Sequence, residues 1–443
     1  MNNIRSVSGK FLLALIGILI FSFLLTTSAQ SGSGIDNYGD TPKEFIPYDH
    51  FSEPYKRFFL TPNEYHGYGR TLAEPKQLKE IKIGFLGPIA KTVSAATGGA
   101  SHEEALGIRM LQGAQLAVAH ANEQGGYRGT GIPYSLIVKN DNGLWGASAN
   151  EIVQLAYKDK VWAILGTIDG ANSHIAIRTA LKAEISVVNS GDTDPTFTET
   201  AIPWAFRNIS DDRQMCYLLA NYIFKTKGIT KVAAFRANNR YGRIGIDEFR
   251  DAATRLGHPF IIEVNYRQGD MDFSAQLHTI KQLNPEAIMT YGDAEESGLL
   301  LNQIRKLGMD VWFIGSDRIV SEKFIQIVGG NLDKVVAASP FNPDSDADKY
   351  LLFKESFMAQ YGSEPETFAS HSYDGIFMII AAIEKAGLNR AKIRDQLAAL
   401  QNYDGVSGMK KFDPIFNNLS TPMLAIGNKD RFIFITPKKT SGQ

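Results

Sequence analysis

Small polar side chains follow two neighbouring apolar runs of the sequence, and their types are those that bind small charged molecules. The run at 163–166 is followed by "TIDGANS", and the run at 185–189 is followed by "SGDTDPT". Hydroxyl, amide and free backbone N–H groups at strand ends and helix starts are available to bind a ligand. The stretch therefore predicts a binding site for a small polar molecule. The alternative interpretation, which can hold at the same time, is ordinary helix capping by Asp169, Asn172, Ser173 and Thr193.

The sequence lacks the residue patterns that mark common catalytic and metal sites. The first β-rich run continues as "IGFLGPIAKTVS", which is not G-x-G-x-x-G, and neither a P-loop nor a G-x-S-x-G turn is present. Asp192 and Asp194 are candidates for an acid–base pair, but a turn before Pro195 is the simpler explanation. We expect no enzymatic activity, cofactor or metal. Capping, packing or surface roles are expected for His102, His120, His174, His258, His278 and His371.

Composition places the chain among soluble globular proteins of two or three domains, with 443 residues, 44% of them hydrophobic and 21% charged. The 46 basic residues balance 47 acidic ones, and no long basic run is present, so neither nucleic acid nor an anionic membrane surface is an expected partner. Cys216 is the only cysteine. It cannot form an intramolecular disulfide, and we expect a small buried side chain there.

The N-terminus has the pattern of a cleavable signal peptide, which predicts export to the periplasm. Arg5 and Lys10 precede an unbroken apolar run from Phe11 to Leu25, and small residues follow in "TTSAQ". As a helix this run reaches about 22 Å, which is shorter than the roughly 30 Å hydrocarbon core of a bilayer. We therefore predict a signal peptide at residues 1–29, with membrane anchoring by the same segment as the minor alternative.

After the predicted signal peptide, the sequence contains an irregular segment and then a regular α/β pattern. Residues 30–80 are rich in Gly, Pro and aromatic residues without a regular period, which predicts an irregular arm whose aromatic side chains pack on the body. From residue 81, short β-rich runs alternate with helical patterns such as 102–122 and 242–256. This alternation, interrupted near "TAIPWAFRN", predicts two doubly wound α/β lobes. Ligands bind beyond the carboxyl ends of such strands, so the polar stretches are expected to line a cleft between the lobes.

Several segments occur in the order and spacing of a known family. They are "IKIGFLGPI", "GIRMLQGAQLAVAHANEQGG", "VWAILGTIDGANS", "VVNSGDTDPTFTE", "NNRYGRIG", "QLNPEAIMTYGDAEESGLLLNQIRKLGM", "WFIGSD" and "SHSYDGIFMIIAAIEKAGLN". Through them, residues 81–435 resemble the type I periplasmic solute-binding proteins of the leucine/isoleucine/valine-binding family. The resemblance covers about four fifths of the chain, and its strength lies in the order of the segments rather than in any single one.

The resemblance implies two Rossmann-like lobes joined by three crossing strands, near 202–207, 335–338 and 406–409. Lobe 1 would comprise 81–204 with 339–405, and lobe 2 would comprise 205–338 with 406–436. It also implies a monomer without catalytic activity that closes on a small organic ligand, a branched-chain or related amino acid. The ligand would then pass to the permease and ATPase subunits of an ABC transporter. A ligand-sensing receptor subunit and an enzyme on the same fold are the alternatives.

The resemblance assigns roles to individual residues. Gly191 and Thr193 match the loop that binds the ligand α-carboxylate, Tyr241 matches a tyrosine of the second lobe, and Asp317 matches the acid that binds the ammonium. Capping of the helix near Ser321 is the structural alternative for Asp317. The predicted ligand-binding set is Gly170, Asn172, Ser173, Gly191, Thr193, Tyr241 and Asp317.

The sequence departs from the family at the ligand site. Gly170 stands where amino-acid binders place a hydroxyl, for which Ser173 is a possible substitute. Trp145 is expected either to wall an aromatic ligand or to fill a core. Amides, aromatic acids and other small organic molecules are therefore alternative ligands. Negative charge from Asp169, Asp192 and Asp194 would oppose a carboxylate unless these residues face away or pair with Arg178 or Arg207.

Overall fold

The structure is a computed structural model that describes residues 52–53, 55–89 and 102–436. The predicted signal peptide and the first part of the arm lie outside the described residues. Within those residues, none of the helices combines the length and apolarity that crossing a bilayer requires.

The first sheet is parallel throughout and lies between residues 81 and 207, where its last strand falls in a segment predicted as a crossing. Its spatial order is β2-β1-β3-β4-β5. The strands are β1 Ile81–Gly87, β2 Tyr134–Asn140, β3 Ile164–Leu165, β4 Val187–Asn189 and β5 Ala205–Arg207. Helices cover both faces, so the central strands are buried on both sides and appear in the sequence as continuous apolar runs.

The second sheet has the order β14-β13-β10-β9-β8-β6-β7, with an antiparallel edge formed by β13 and β14. Its strands are β6 Val232–Ala237, β7 Ile262–Tyr266, β8 Ala287–Tyr291, β9 Trp312–Gly315, β10 Val335–Ser339, β13 Met423–Asn428 and β14 Arg431–Ile435. A separate hairpin pairs β11 Tyr403–Gly405 with β12 Gly408–Lys410. The doubly wound two-sheet fold predicted from the sequence is confirmed.

The helices follow the strands as the alternating pattern predicts. They are α1 Tyr55–Leu60, α2 His102–Glu123, α3 Trp145–Val153, α4 Gly170–Ala183, α5 Thr196–Glu199, α6 Asp212–Ala220, α7 Arg240–Arg255, α8 Ser274–Gln282, α9 Ala294–Lys306, α10 Glu322–Ile327, α11 Asp348–Tyr361, α12 Thr367–Ala386 and α13 Arg390–Ala398. Cys216 in α6 is fully buried, as expected.

The chain passes between the two sheets more than once. Helix α12 returns to the first sheet, where Ile376 and Ile379 join the same apolar core as Phe85. Strand pairing places 205–207 in the first sheet and 335–339 in the second, so the crossings begin just after these strands. The predicted lobe limits stay a proposal.

The second part of the arm packs on the side of the first sheet opposite the carboxyl ends of its strands. The ring of Tyr65 meets the buried Trp204 edge-on, with 4.8 Å between ring centroids. Arg70 forms an ion pair with Asp395, and Asn389 Nδ2 donates to Gly69 O over 2.9 Å. The prediction that arm aromatics pack on the body holds for Tyr65, whereas the Tyr68 side chain is exposed.

Candidate functional site

Helix α4 begins at the carboxyl end of β3 and is capped by Asp169, whose Oδ1 accepts hydrogen bonds from Ala171 N (2.7 Å) and Asn172 N (3.4 Å). The capping interpretation is therefore correct for Asp169. The side chain of Asn172 points elsewhere, since its Nδ2 donates to Asp141 Oδ2 over 3.2 Å. Asp141 also accepts from Ser148 Oγ over 2.9 Å, so Asn172 ties the start of α4 to the end of β2.

Ser173 lies in the first turn of α4, and its hydroxyl is surrounded by partners from the same sheet. It donates to Asp169 O over 2.9 Å, accepts from Asn189 Nδ2 over 3.2 Å and contacts Thr167 Oγ1. A serine hydroxyl has one donor and two acceptor positions. These neighbours occupy all three, so a ligand must displace one of them to reach Ser173.

The loop after β4 is held by its own side chains. Asn189 Oδ1 accepts from Gly191 N over 2.9 Å and from Asp192 N over 2.7 Å. A Cβ atom at Gly191 would lie 2.8 Å from Met110 Sδ, so close packing explains this glycine. The Gly191 N–H, predicted to bind a carboxylate, already has a partner. The buried Thr193 joins this loop to α6, because its carbonyl accepts from Asp212 N over 2.8 Å.

Two of the acidic residues around this loop, Asp192 and Asp194, lie near arginine side chains. Asp194 Oδ2 lies 2.7 Å from Arg240 Nε, a partner that the sequence analysis did not consider. The fully buried Arg207 donates to the Asp194 carbonyl. Burial and the Asp194 charge raise the pKa of Asp192 to about 7, and the Arg207 charge opposes this shift. Near neutral pH the repulsion of a ligand carboxylate is therefore reduced.

Tyr241 and Asp317, which are far apart in sequence, meet at the carboxyl ends of β6 and β9. The Tyr241 hydroxyl donates to Asp317 Oδ1 over 2.6 Å. The guanidinium carbon of Arg318 lies 3.7 Å from the Tyr241 ring centroid. Helix α10 is capped instead by Ser321, whose Oγ accepts from Phe324 N over 3.4 Å. Asp317 therefore does not have the structural role proposed as the alternative.

Asp212 is an acid of this site that the sequence analysis missed. It begins α6 and is 1% exposed, and its Oδ1 accepts from the Tyr291 hydroxyl over 2.8 Å. Burial and the nearby Asp317 charge raise its pKa well above the usual range, while the hydroxyls of Thr193 and Tyr291 act in the opposite direction. The sequence does contain a signal for Asp212. This residue follows β5, at the same edge of the sheet as the predicted ligand residues that follow β3 and β4.

Asp212 and Asp317 each keep one buried carboxylate oxygen, Oδ2, that makes no hydrogen bond of acceptable geometry with the described residues. Burial also raises the pKa of Asp317, against the opposing effects of the Tyr241 hydroxyl and the Arg318 charge. Buried carboxylate oxygens without partners are unfavourable. The pair therefore offers two neighbouring acceptor positions that suit a cationic group.

Other predicted features lie outside this arrangement. Trp145 is 64% exposed at the start of α3, so it does not fill a core. His174 Nε2 lies 2.8 Å from Thr196 Oγ1, and His371 Nδ1 lies 2.7 Å from Thr367 O, in agreement with capping and packing roles. The described residues contain no group of His, Cys, Asp and Glu side chains arranged to hold a metal ion.

Comparison with known proteins relates this geometry to one family. The family model described as periplasmic binding protein matches residues 80–427. The Leu/Ile/Val-binding protein homolog 2 of Brucella abortus is 27% identical over 290 residues, which cover 65% of this chain and 76% of that protein. The amino acid binding protein of Pseudomonas aeruginosa is 26% identical over 339 residues, which cover 76% of this chain and 87% of that protein.

Two solved structures resemble the fold closely. The branched-chain amino acid transporter substrate-binding protein LivJ of Streptococcus pneumoniae, solved with isoleucine, is 25% identical with a TM-score of 0.71. The match covers 81% of this chain and all of LivJ. The leucine-binding protein LivK of Thermotoga maritima is also 25% identical, with a TM-score of 0.70, and the match covers 80% of this chain and 98% of LivK.

Proposed function

Because the chain belongs to the periplasmic binding protein family, we propose that it captures a small organic ligand, a branched-chain or related amino acid, for an ABC transporter. The family consists of substrate-binding proteins of ABC transporters, not of enzymes. Support for the ligand class comes from relatives and structural neighbours that are described as binding leucine, isoleucine or valine.

The observation that carries this proposal is the acceptor group formed by Asp212, Tyr241 and Asp317. The two buried carboxylate oxygens that lack a hydrogen-bond partner among the described residues suit the ammonium of an amino acid, which carries three donors and a positive charge. Thr193 lies beside the same region, because its backbone carbonyl accepts from Asp212 N and its hydroxyl acts on the Asp212 carboxylate. Gly170, Asn172, Ser173 and Gly191 stay predicted contacts. For Asn172, Ser173 and Gly191, bonds within the chain compete with a ligand.

The remaining parts of the proposal concern organisation and location. We propose the two lobes as predicted, 81–204 with 339–405 and 205–338 with 406–436, except that 205–207 and the segment of Phe412 and Phe416 belong to lobe 1, because they join its sheet and core. We also propose a monomer served by permease and ATPase subunits. The family is periplasmic. We propose residues 1–29 as the export signal, which lies outside the described residues. An intact mass of the exported protein that still includes residues 1–29 would contradict cleavage.

Calorimetric titration of the full chain with L-leucine and L-isoleucine tests the ligand class, and Asp317→Asn tests the site. Loss of one partner of a desolvated charge pair should weaken binding by roughly 2–4 kcal/mol. The melting temperature without ligand should change little, because the Asp317 side chain does not cap a long helix. Asp310→Asn is the matched control, since that side chain is 86% exposed in the same part of the chain.

The two results separate the two parts of the proposal. Absence of binding to either amino acid would reject the ligand class while leaving the family assignment in place. Unchanged affinity in Asp317→Asn would remove Asp317 from the site.

A further inference from the structure

A direct ion pair joins the two walls of the cleft. Arg240 begins α7 after β6 of the second sheet, and Asp194 follows β4 of the first sheet. Arg240 Nε lies 2.7 Å from Asp194 Oδ2, and Arg240 Nη2 donates to Thr196 Oγ1 over 2.9 Å. The side chain of Asp194 is only 6% exposed. The pair is therefore more sheltered than an ordinary surface ion pair, whose net contribution is small.

Gly170 provides the space in which this pair sits. A Cβ atom at Gly170 would lie 2.6 Å from Asp194 Oδ2 and 2.9 Å from Arg240 Nε. Both distances are below normal van der Waals contact. The backbone of Gly170 is not in the left-handed region, so its conformation does not require glycine. A Cβ atom there would instead press on the ion pair, and the ends of the Asp194 and Arg240 side chains would have to shift.

We propose that Arg240 and Asp194 form a latch that holds the cleft closed, and that Gly170 leaves the space in which this latch sits. The proposal rests on the proposed function, because it assumes lobes that open and close. The latch forms only when the walls meet, so it raises the closed population in the absence of ligand. The apparent affinity for any ligand of the closed state then scales with that population.

A second ion pair also joins the same two walls of the cleft. Arg213 in α6 lies 2.7 Å from Glu199 at the end of α5, and it also pairs with Glu248 over 3.0 Å. This contact lies close to the chain crossing that follows β5. Removal of the latch should therefore widen the cleft without separating the two halves.

Small-angle X-ray scattering of the ligand-free full chain tests the latch with Gly170→Ala and Arg240→Ala. We expect both variants to have a larger radius of gyration than the unmodified protein. Gly146→Ala is the matched control, because this glycine also lies at the start of a helix but has open space where its Cβ would be. The control should keep the radius of the unmodified protein.

Titration with L-leucine and L-isoleucine adds a readout that a ligand contact would not give. A latch variant should lower the affinity for both amino acids by the same factor. That factor is on the order of tenfold for each 1.4 kcal/mol by which the free energy of closure becomes less favourable. Adding Gly170→Ala to Arg240→Ala should have little further effect on the radius, since much of the obstructing side chain is already gone. Each of these results would support the latch.

Two results would overturn the proposal. One is a radius of gyration of ligand-free Arg240→Ala that equals the radius of the unmodified protein. This variant also keeps the test decisive if Gly170→Ala does not fold. The other is a Gly170→Ala variant that has the unmodified radius and loses affinity for one amino acid only, as a ligand contact would. The scattering result does not depend on the ligand. If neither amino acid binds but the radii differ as expected, the latch stands and the proposed ligand class fails.

Discussion

Asp212 and Asp317 show how burial prepares two side chains for a cation. Each keeps one oxygen without a hydrogen bond from the described residues, and burial raises the pKa of both carboxyl groups. Protonation relieves the mutual repulsion of the two groups. An ammonium would replace that proton and favour the ionised form of both side chains.

We therefore predict that ligand binding releases protons and that affinity falls as the pH is lowered. The folded-state pKa values are raised, so loss of affinity begins at a higher pH than the usual Asp range near 3.8 would give. Titration of L-isoleucine in buffers of different ionisation enthalpy, from about pH 5 to about pH 8, measures the released protons. Asp212→Asn should reduce the release, and Asp310→Asn should not. Affinity that is constant with pH, or proton uptake on binding, would contradict the prediction.

At the scale of elements, the arm precedes the residues matched by the family model, and it packs against the first sheet. Tyr65 covers the fully buried Trp204, and Asn389 in the turn before α13 binds the arm backbone at Gly69 and Leu72. The arm predicted as irregular contains the short helix α1, and these contacts hold the segment that follows α1 against the body. The arm should therefore contribute to folding stability.

Tyr65→Ala is expected to lower the free energy of unfolding by about 1–3 kcal/mol, because it removes a partly buried aromatic contact. It should also shift tryptophan emission to longer wavelength as Trp204 gains contact with water. Urea unfolding followed by fluorescence measures both effects. Tyr68→Ala is the matched control, since Tyr68 lies in the same arm but is 78% exposed. Equal stability of the two variants would show that the arm is not coupled to the fold.

The sequence was sufficient for most strands, because central strands of a doubly wound sheet are apolar on both faces and end in polar residues. The run "EAIMTY" corresponds closely to β8, Ala287–Tyr291. In contrast, "VWAILG" contains a strand of only two residues, Ile164–Leu165. The pairing of Asp194 with Arg240 was not predictable, because it depends on how two lobes meet. Asp212 could have been found from the sequence, because it follows β5 and ligands bind beyond the carboxyl ends of the strands in such sheets.

At the scale of the whole molecule, two segments that cross between the sheets, one just after β5 and one just before β13, are hydrogen-bonded to each other. Asn418 Nδ2 donates to Asn208 O over 3.1 Å, and Ser210 Oγ donates to Ser420 O over 3.0 Å. The two sheets have largely separate apolar cores. Relative motion is therefore expected to concentrate in these crossings rather than within either sheet.

Saturation with L-isoleucine should make the particle more compact and slow amide exchange at the carboxyl ends of the strands. The ligand should be recovered chemically unchanged, because closure in this family serves capture rather than reaction. Scattering with and without ligand measures the first effect, and chromatography of the released ligand measures the second. An unchanged radius at saturation would count against hinge closure, and conversion of the ligand would favour the enzyme alternative.

The buried position of Cys216 has a practical consequence for following this motion. It is the only thiol of the chain and is fully buried in α6, so thiol reagents should not reach it in the folded protein. A cysteine introduced at the exposed Trp145 would then be the sole site of attachment for an environment-sensitive dye. The cysteine content of the native sequence thus makes the protein a ready scaffold for an optical sensor of its own ligand.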